Sequence, residues 1–422
     1  MDATIQTSQA VVPFFERPGV HVETIPVGRG IQIGIEQISN PIVGIGGAYG
    51  TWGTPYNNQV LPSVIEAALG EPLAINERMN LAELGFVNRH HTGQLTESEH
   101  QAVEVEVGAR FLRAATEACG WDPKEVEGVL IGTSTPTLND YTEQIARAAG
   151  ISEDAIKVSI HKACDGSVGG LHAVLNPKLA EISKWGRNLA EELRGKKVLV
   201  GGIEGLSRFL NRSRDKNAYQ LFGNGAGVVG VIPGKTMKFL VGKMDEVFDE
   251  EGVLQVMMTY PHSRHKIEGQ SLVEVTQESE HHIRMAGMMH EPADGSSVVM
   301  AGPMGMVKLF VRSGVQVVQD VYKAYLDLLT RVNLPDKSIT VAIVHHANYK
   351  INKLKEKNLE KLGIHLSMPW LFSEFGNVSA ASNMIAFLRK LPDLHPSDHV
   401  LFDGFGAGTY YDALVVELGE NR

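Results

Sequence analysis

Short apolar runs closed by glycine or proline alternate along this chain with stretches whose apolar residues recur at helical spacing. Such alternation predicts buried strands joined by helices, an α/β architecture with a mostly parallel sheet. ISNPIVGIGGAYG reads as a strand and turn, and SEHQAVEVEVGARFLRAATEACG, from Ser98, as a helix stopped at Gly120. VEGVLIGTSTP (126–136) is a strand closed by Pro136, EQIARAAG (143–150) a helix ended by Gly150, and AIKVSI (155–160) a strand. A helix of small residues starts at Gly166, and KKVLVGGIEG (196–205) is again a strand.

The same order returns further on. SITVAIVHHAN (338–348) resembles VEGVLIGTSTP, INKLKEKNLEKLGI (351–364) takes the helix position, FGNVSAASNMIAFLRK (375–390) matches ACDGSVGGLHAVL, and DHVLFDGFGAG matches KKVLVGGIEG. Cys164 lies 32 residues after Gly132, and Asn377 lies 32 residues after His345. The repeat predicts an internally duplicated fold with pseudo-two-fold symmetry: an N-terminal extension over 1–38, a first half over 39–235 and a second over 236–422. Residues 236–300 open as a strand, a turn at Asp249–Gly252 and a second strand, then give way to a polar stretch without assignable periodicity.

Composition narrows the class. The 422 residues are 43% hydrophobic and 21% charged, ordinary globular usage, and the net charge of −10 disfavours nucleic acid as a partner. Two cysteines, Cys119 and Cys164, exclude a disulfide scaffold. The first twenty residues lack a basic leader and apolar core, and no apolar run reaches a membrane span, so the expectation is a cytoplasmic protein without one.

Cys164 carries the candidate chemistry. It follows a strand and precedes a helix rich in Gly and Ser, where unpaired backbone N–H groups and the helix dipole favour thiolate. The adjacent Asp165 opposes this if it points inward, and a buried structural cysteine is the competing reading. Cys119, at the end of an amphipathic helix, fits that structural reading better. His345 and Asn377 stand at repeat-equivalent strand ends, so a pseudo-dyad would bring all three together. His346 competes with His345, and because side chains alternate along a strand only one of them can face the thiol.

ACDGSVGGL, LFGNGAGVV, VHHANYKIN, EFGNVSAAS and DGFGAGTYYDALVV resemble, in order over most of residues 42–422, the motifs of ketoacyl-ACP synthase III, a condensing enzyme of the thiolase superfamily. The resemblance implies a five-layered αβαβα duplication, a homodimer, Cys164 as the acylated nucleophile, and His345 and Asn377 as its partners. It also implies an oxyanion hole from the backbone N–H groups of Cys164 and Gly408, and a loop (135–144) lining the partner's acyl pocket with Leu138 near the gating position. The implied reaction loads an acyl group on Cys164 and condenses it with a malonyl-type thioester as carbon dioxide leaves. No metal or redox cofactor enters, and acyl-CoA or acyl-carrier-protein thioesters are the substrates. The chain departs from the family at Asp165, where a small residue is usual, at GAG for GGG, at HHAN for HQAN, and at Lys350 for arginine.

Basic clusters at Arg208, Arg212, Arg214 and Lys216, and at Lys350, Lys353, Lys357 and Lys361, are candidates for steering coenzyme A or an acidic carrier protein; solvated helix faces are the plainer reading. GAGVVG (225–230) lacks the helix a dinucleotide fingerprint needs, and the histidines at 262, 265, 281, 282 and 290 lack metal spacing. An acyltransferase without carbon–carbon bond formation and a non-catalytic scaffold stay open as alternatives. A hydroxymethylglutaryl-CoA synthase is disfavoured because no glutamate stands at a recognisable general-base position.

Overall fold

The computed structural model describes residues 12–134, 140–182, 185–213, 215–246, 273–287, 307–407 and 410–419. Two sheets organise it. The strands of the first, in chain order, are β1 (Val20–Thr24), β2 (Gln32–Asn40), β3 (Ile45–Trp52), β4 (Gly128–Gly132), β5 (Ile156–His161), β6 (Val198–Glu204) and β7 (Gly225–Val231). After β8 (Met237–Glu246) of the second sheet come β9 (Val273–Gln277) and β10 (His282–Gly287), which rejoin the first. The second sheet is completed by β11 (Ile339–Val344), β12 (His399–Gly406) and β13 (Tyr410–Leu418). Strand orders are β1-β2-β3-β7-β6-β4-β5-β10-β9 and β8-β13-β12-β11.

Five layers result. Helices α1 (Glu97–Ala118) and α2 (Tyr141–Ala149) pack through Val103, Phe111 and Ile145 on the outer face of the first sheet. Helices α3 (Gly166–Leu175) and α6 (Ser382–Lys390) lie between the sheets. Helices α4 (Gly314–Arg331) and α5 (Tyr349–Lys361) cover the second sheet through Val317, Tyr325 and Leu359. The small residues of α3 follow from this position, because every residue of that helix is buried and a larger side chain would force the sheets apart. Burying Val168, Leu171, Val174 and Leu175 stabilises the layer by roughly 1.5–3 kcal/mol each. The outer helices are set by local signals: Thr96 and Glu99 form a capping box at the start of α1, and Gly150, at φ 83°, ends α2.

Several expectations are corrected. Among the strands of the described residues, parallel pairing is confined to β6-β4-β5-β10 and to β11-β12, so both sheets are mixed. Residues 12–38 are not a separate extension: β1 and β2 continue the first sheet, and Phe14 is fully buried against Tyr49 and Phe375. The hairpin β9–β10, placed in the second half by a division at 235/236, instead pairs in parallel with β5 and takes that strand's free edge. The turn expected at Asp249–Gly252 lies outside the described residues. GAGVVG lies in β7. Among the described residues no helix is long and apolar enough to cross a membrane.

Candidate active site

Cys164 sits in the single turn Ala163–Asp165 that joins β5 to α3. Ala163 adopts φ 49°, a left-handed conformation that costs an alanine roughly 1–2 kcal/mol and is held here by full burial. Within that turn Cys164 alone is only partly buried. Burial nevertheless pushes its thiol up to about 12, with the Glu204 and Asp165 charges adding and a hydrogen bond from Ser379 opposing. Gly406, at the end of β12, closes on this turn. A Cβ there would stand 2.5 Å from the Lys162 carbonyl oxygen and 3.0 Å from the Cys164 nitrogen, so only glycine lets the second half approach the backbone of Cys164.

The second half supplies a matching turn. Ser379 adopts φ 47° and opens the single turn Ser379–Ala381 that leads into α6. This geometry revises the repeat alignment: Ala163 corresponds to Ser379 and Cys164 to Ala380, three residues beyond the Asn377 expected from spacing alone. The turn is a hub. Ser379 Oγ donates to Cys164 Sγ at 3.2 Å, and the Ser379 N–H donates to Asn377 Oδ1 at 2.9 Å. The Ala380 N–H donates to Glu204 Oε1 at 3.0 Å, and His345 Nδ1 lies 2.5 Å from Ser382 Oγ. Asn377 is fixed further by its own backbone, which bonds Leu221 and Gly223 of the first half. With Oδ1 occupied by the Ser379 N–H, the amide is oriented so that Nδ2 is the group left to donate elsewhere.

The two histidines have separate roles. The His346 ring packs against Trp370 and Phe372, Nδ1 lies 2.7 Å from the Val344 carbonyl, and Nε2 accepts the Leu371 N–H at 3.1 Å. Both ring nitrogens are consumed by the backbone, so His346 is structural. His345 meets Ser382 and, edge to face at 5.0 Å, Phe405 of β12. Burial, with the neighbouring His346 and Lys355 charges, lowers His345 to about 3, which leaves the ring neutral across ordinary pH.

A buried ionic cluster lies behind Cys164. Asp165 turns into the central layer, where Lys162 Nζ pairs with it at 2.9 Å and also binds Asp412 of β13. Asp412 Oδ1 lies 2.5 Å from His172 Nδ1. Burial opposes ionisation of both carboxylates, but Lys162 and His172 hold Asp412 below the usual range, while burial and the Asp412 charge raise Asp165. The sequence departure at Asp165 is therefore a structural anchor for the turn rather than a group facing the thiol.

The remaining expected residues fare differently. Arg208 is 2% exposed and bridges Glu97 and Glu104, so it is not part of a surface patch; burial on α1 has captured it. Lys350 is exposed but pairs with Glu83, and Lys353 pairs with Glu356 over the Tyr349 ring. The Arg212 side chain, Leu138 and Gly408 lie outside the described residues. Sequence reasoning missed Glu204. It is fully buried at the end of β6, with its carboxylate accepting from the Ser134 N–H at 2.9 Å, Ser134 Oγ at 2.8 Å and Ala380. The one available signal was a charged residue closing an apolar run, in VLVGGIEG.

Residues 329–418 match the family model of the 3-oxoacyl-[acyl-carrier-protein (ACP)] synthase III C terminal. The beta-ketoacyl-[acyl-carrier-protein] synthase III 1 of Streptomyces coelicolor is 27% identical over 386 residues, covering 89% of this chain and 96% of that protein. The synthase III of Azobacteroides pseudotrichonymphae is 26% identical over 306 residues, 71% of this chain and 77% of that one. Among solved structures, the 3-oxoacyl-(acyl carrier protein) synthase III of Pseudomonas aeruginosa superposes with a TM-score of 0.59 at 19% identity, over 91% of this chain and 98% of that one. The C-terminal type III polyketide synthase domain of Steely1 from Dictyostelium superposes with a TM-score of 0.58 at 14% identity, over 90% and 99%. Those two likenesses speak to the thiolase-type fold.

Proposed function

We propose that this ketoacyl-ACP synthase III-like condensing enzyme loads an acyl group on Cys164 and condenses it with a malonyl-type thioester, using His345 and Asn377 as its hydrogen-bond donors. One observation carries the reading. The turn Ser379–Ala381 and the Ser382 that follows it hold Cys164, Asn377 and His345 by direct hydrogen bonds, gathering groups from both halves of the chain.

The chemistry follows from these groups. Thiolate attack on an acyl thioester builds negative charge on the carbonyl oxygen, which backbone N–H groups at the start of α3 stabilise. The family resemblance adds Gly408 to that oxyanion hole. The acyl group stays on sulfur while the second thioester enters. Its carbonyl accepts from Asn377 Nδ2 and His345 Nε2, so that the electrons released with carbon dioxide rest on an enolate oxygen. This role needs the tautomer in which Nδ1 accepts from Ser382 and Nε2 carries the proton of the neutral ring. The carbanion then attacks the acyl-cysteine, a carbon–carbon bond forms and the thiolate leaves. Thioesters of coenzyme A or a carrier protein are the substrates, no cofactor is called for, and the exposed Lys350 and Lys353 are offered as steering charges. We assign the reaction to a homodimer in the cytoplasm, a reducing compartment that keeps such a thiol free.

Asn377→Ala separates the two stages. Acylation of Cys164 should survive, whereas release of carbon dioxide from a malonyl thioester should fall by about 10²–10³, the loss expected for one donor to a developing oxyanion. Equal loss of both stages would reject this division of labour. Transfer of the acyl group to an alcohol or amine with no carbon dioxide released would favour the acyltransferase reading.

A further inference from the structure

Lys162 closes the turn that carries Cys164 twice over. Its carbonyl accepts the Asp165 N–H at 3.1 Å, and its ammonium returns to the Asp165 carboxylate at 2.9 Å, spanning the three turn residues. The same ammonium binds Asp412, which stands directly across from Gly404 in the pairing of β12 with β13. His172 of α3 completes the cluster. Asn176 Oδ1 accepts the Lys178 N–H at 3.0 Å, which leaves the Asn176 amide nitrogen to donate to His172 Nε2 at 3.0 Å. The imidazole proton therefore sits on Nδ1 and is donated to Asp412 Oδ1 at 2.5 Å.

All four side chains are at most 1% exposed, and the backbone has made room for them. A Cβ on Gly404 would strike Asp165 Oδ1, and one on Gly169 would stand 3.0 Å from Lys162 Nζ. Buried charges are expensive unless their geometry is well matched, so a cluster built this closely calls for a role beyond filling the layer. The strain lies in the same turn. Ala163, between Lys162 and Cys164, holds φ 49°, and any relaxation there would swing the rigid peptide plane that carries the Cys164 N–H. The thiol has a separate support, since Ser379 Oγ donates to Cys164 Sγ at 3.2 Å.

Resting on Cys164 as the acylated nucleophile, we infer that Lys162 is a positioning residue: through Asp165 and Asp412 it locks the strained turn so that the Cys164 N–H stays aimed at the oxyanion of the acylation step. The second sheet thereby reaches the oxyanion donor by two routes, the Lys162–Asp412 pair and the close approach of Gly406.

The test compares two rates in the full chain, each read by peptide mass: acylation of Cys164 by the fastest of a panel of acyl-CoA thioesters, and its alkylation by iodoacetamide. Alkylation displaces iodide and builds no oxyanion, so it needs the thiol but not the N–H. Asp165→Ala cuts the tie. Acylation at saturation should fall by about 10–10², less than the loss of a donor outright, with the half-saturating concentration unchanged. Alkylation should hold or quicken, because the Asp165 charge is among those that raise the thiol. Lys162→Met combined with Asp412→Asn, which removes one charge of each sign, should lower acylation comparably while alkylation keeps its rate. Cys119, packed against Gly230, reports the fold and should stay unlabelled. Unchanged acylation in either variant overturns the inference. So does a rise of both rates in Asp165→Ala, the mark of a charge and nothing more, or a fall of both together, which would mean the thiol itself had moved. Labelling of Cys119 alongside lost acylation also overturns it, by showing that the cluster only holds the fold. A wild type that forms no acyl-Cys164 with any thioester would instead bring down the nucleophile assignment.

Discussion

His345 and His346 are adjacent and nearly equally buried, yet just past the end of β11 their side chains part into different surroundings. One has both ring nitrogens bound to backbone, and the other reaches Ser382 and Phe405. Side-chain alternation alone left open which of them would face Cys164, because strand phase is invisible until a neighbouring element fixes it, and the expectation of His345 came from the motif resemblance. Cys164 and Asn377 were legible because their motifs lie at turns whose residue types are restricted. Arg208 was misread for the converse reason: a basic cluster has the same pattern whether it faces solvent or a buried carboxylate such as Glu104. Glu204 was passed over because a single acid after an apolar run signals nothing until Ala380 and Ser379 are folded against it.

At the scale of elements, most strands and helices follow from periodicity, with ends set by residues such as Thr96 and Gly150. The misses have a common cause. β1, β2 and β9 lie towards the margins of one sheet, where exposed positions weaken the apolar signal that marks central strands such as β6, and β10, though buried, interrupts its apolar run with His282 and Arg284. The repeat alignment erred by three residues because spacing was counted between motifs, whereas the structural counterpart of the Cys164 turn is the turn with the same left-handed residue at Ser379. The meeting of the two halves at Gly406 gives a prediction. Gly406→Ala places a methyl against the Lys162 carbonyl and the Cys164 nitrogen, so it should destabilise by about 1–3 kcal/mol. It should also slow Cys164 acylation more than tenfold, measured by stopped acylation and urea unfolding. Wild-type rates and stability would show that the turn yields freely.

Across the whole molecule, burial of polar groups makes folding sensitive to acid. His90, His91, His345 and His346 are all lowered to about 3, first by burial. A histidine with a depressed native value is unprotonated when folded but gains a proton on unfolding below about pH 6.5, so its contribution is present above that pH and lost as pH falls. Each such group costs up to about 1.4 kcal/mol per pH unit below that point. Urea midpoints should therefore fall steeply between pH 7 and 5.5, and a flat profile there would show that these rings reach solvent. The account as a whole depends on one covalent event. The full-length protein is incubated with an acyl-CoA, digested and mapped by mass. The predicted result is a single acyl group on the peptide containing Cys164, absent from Cys164→Ala. An acyl group on Cys119, or one that persists in Cys164→Ala, would contradict it.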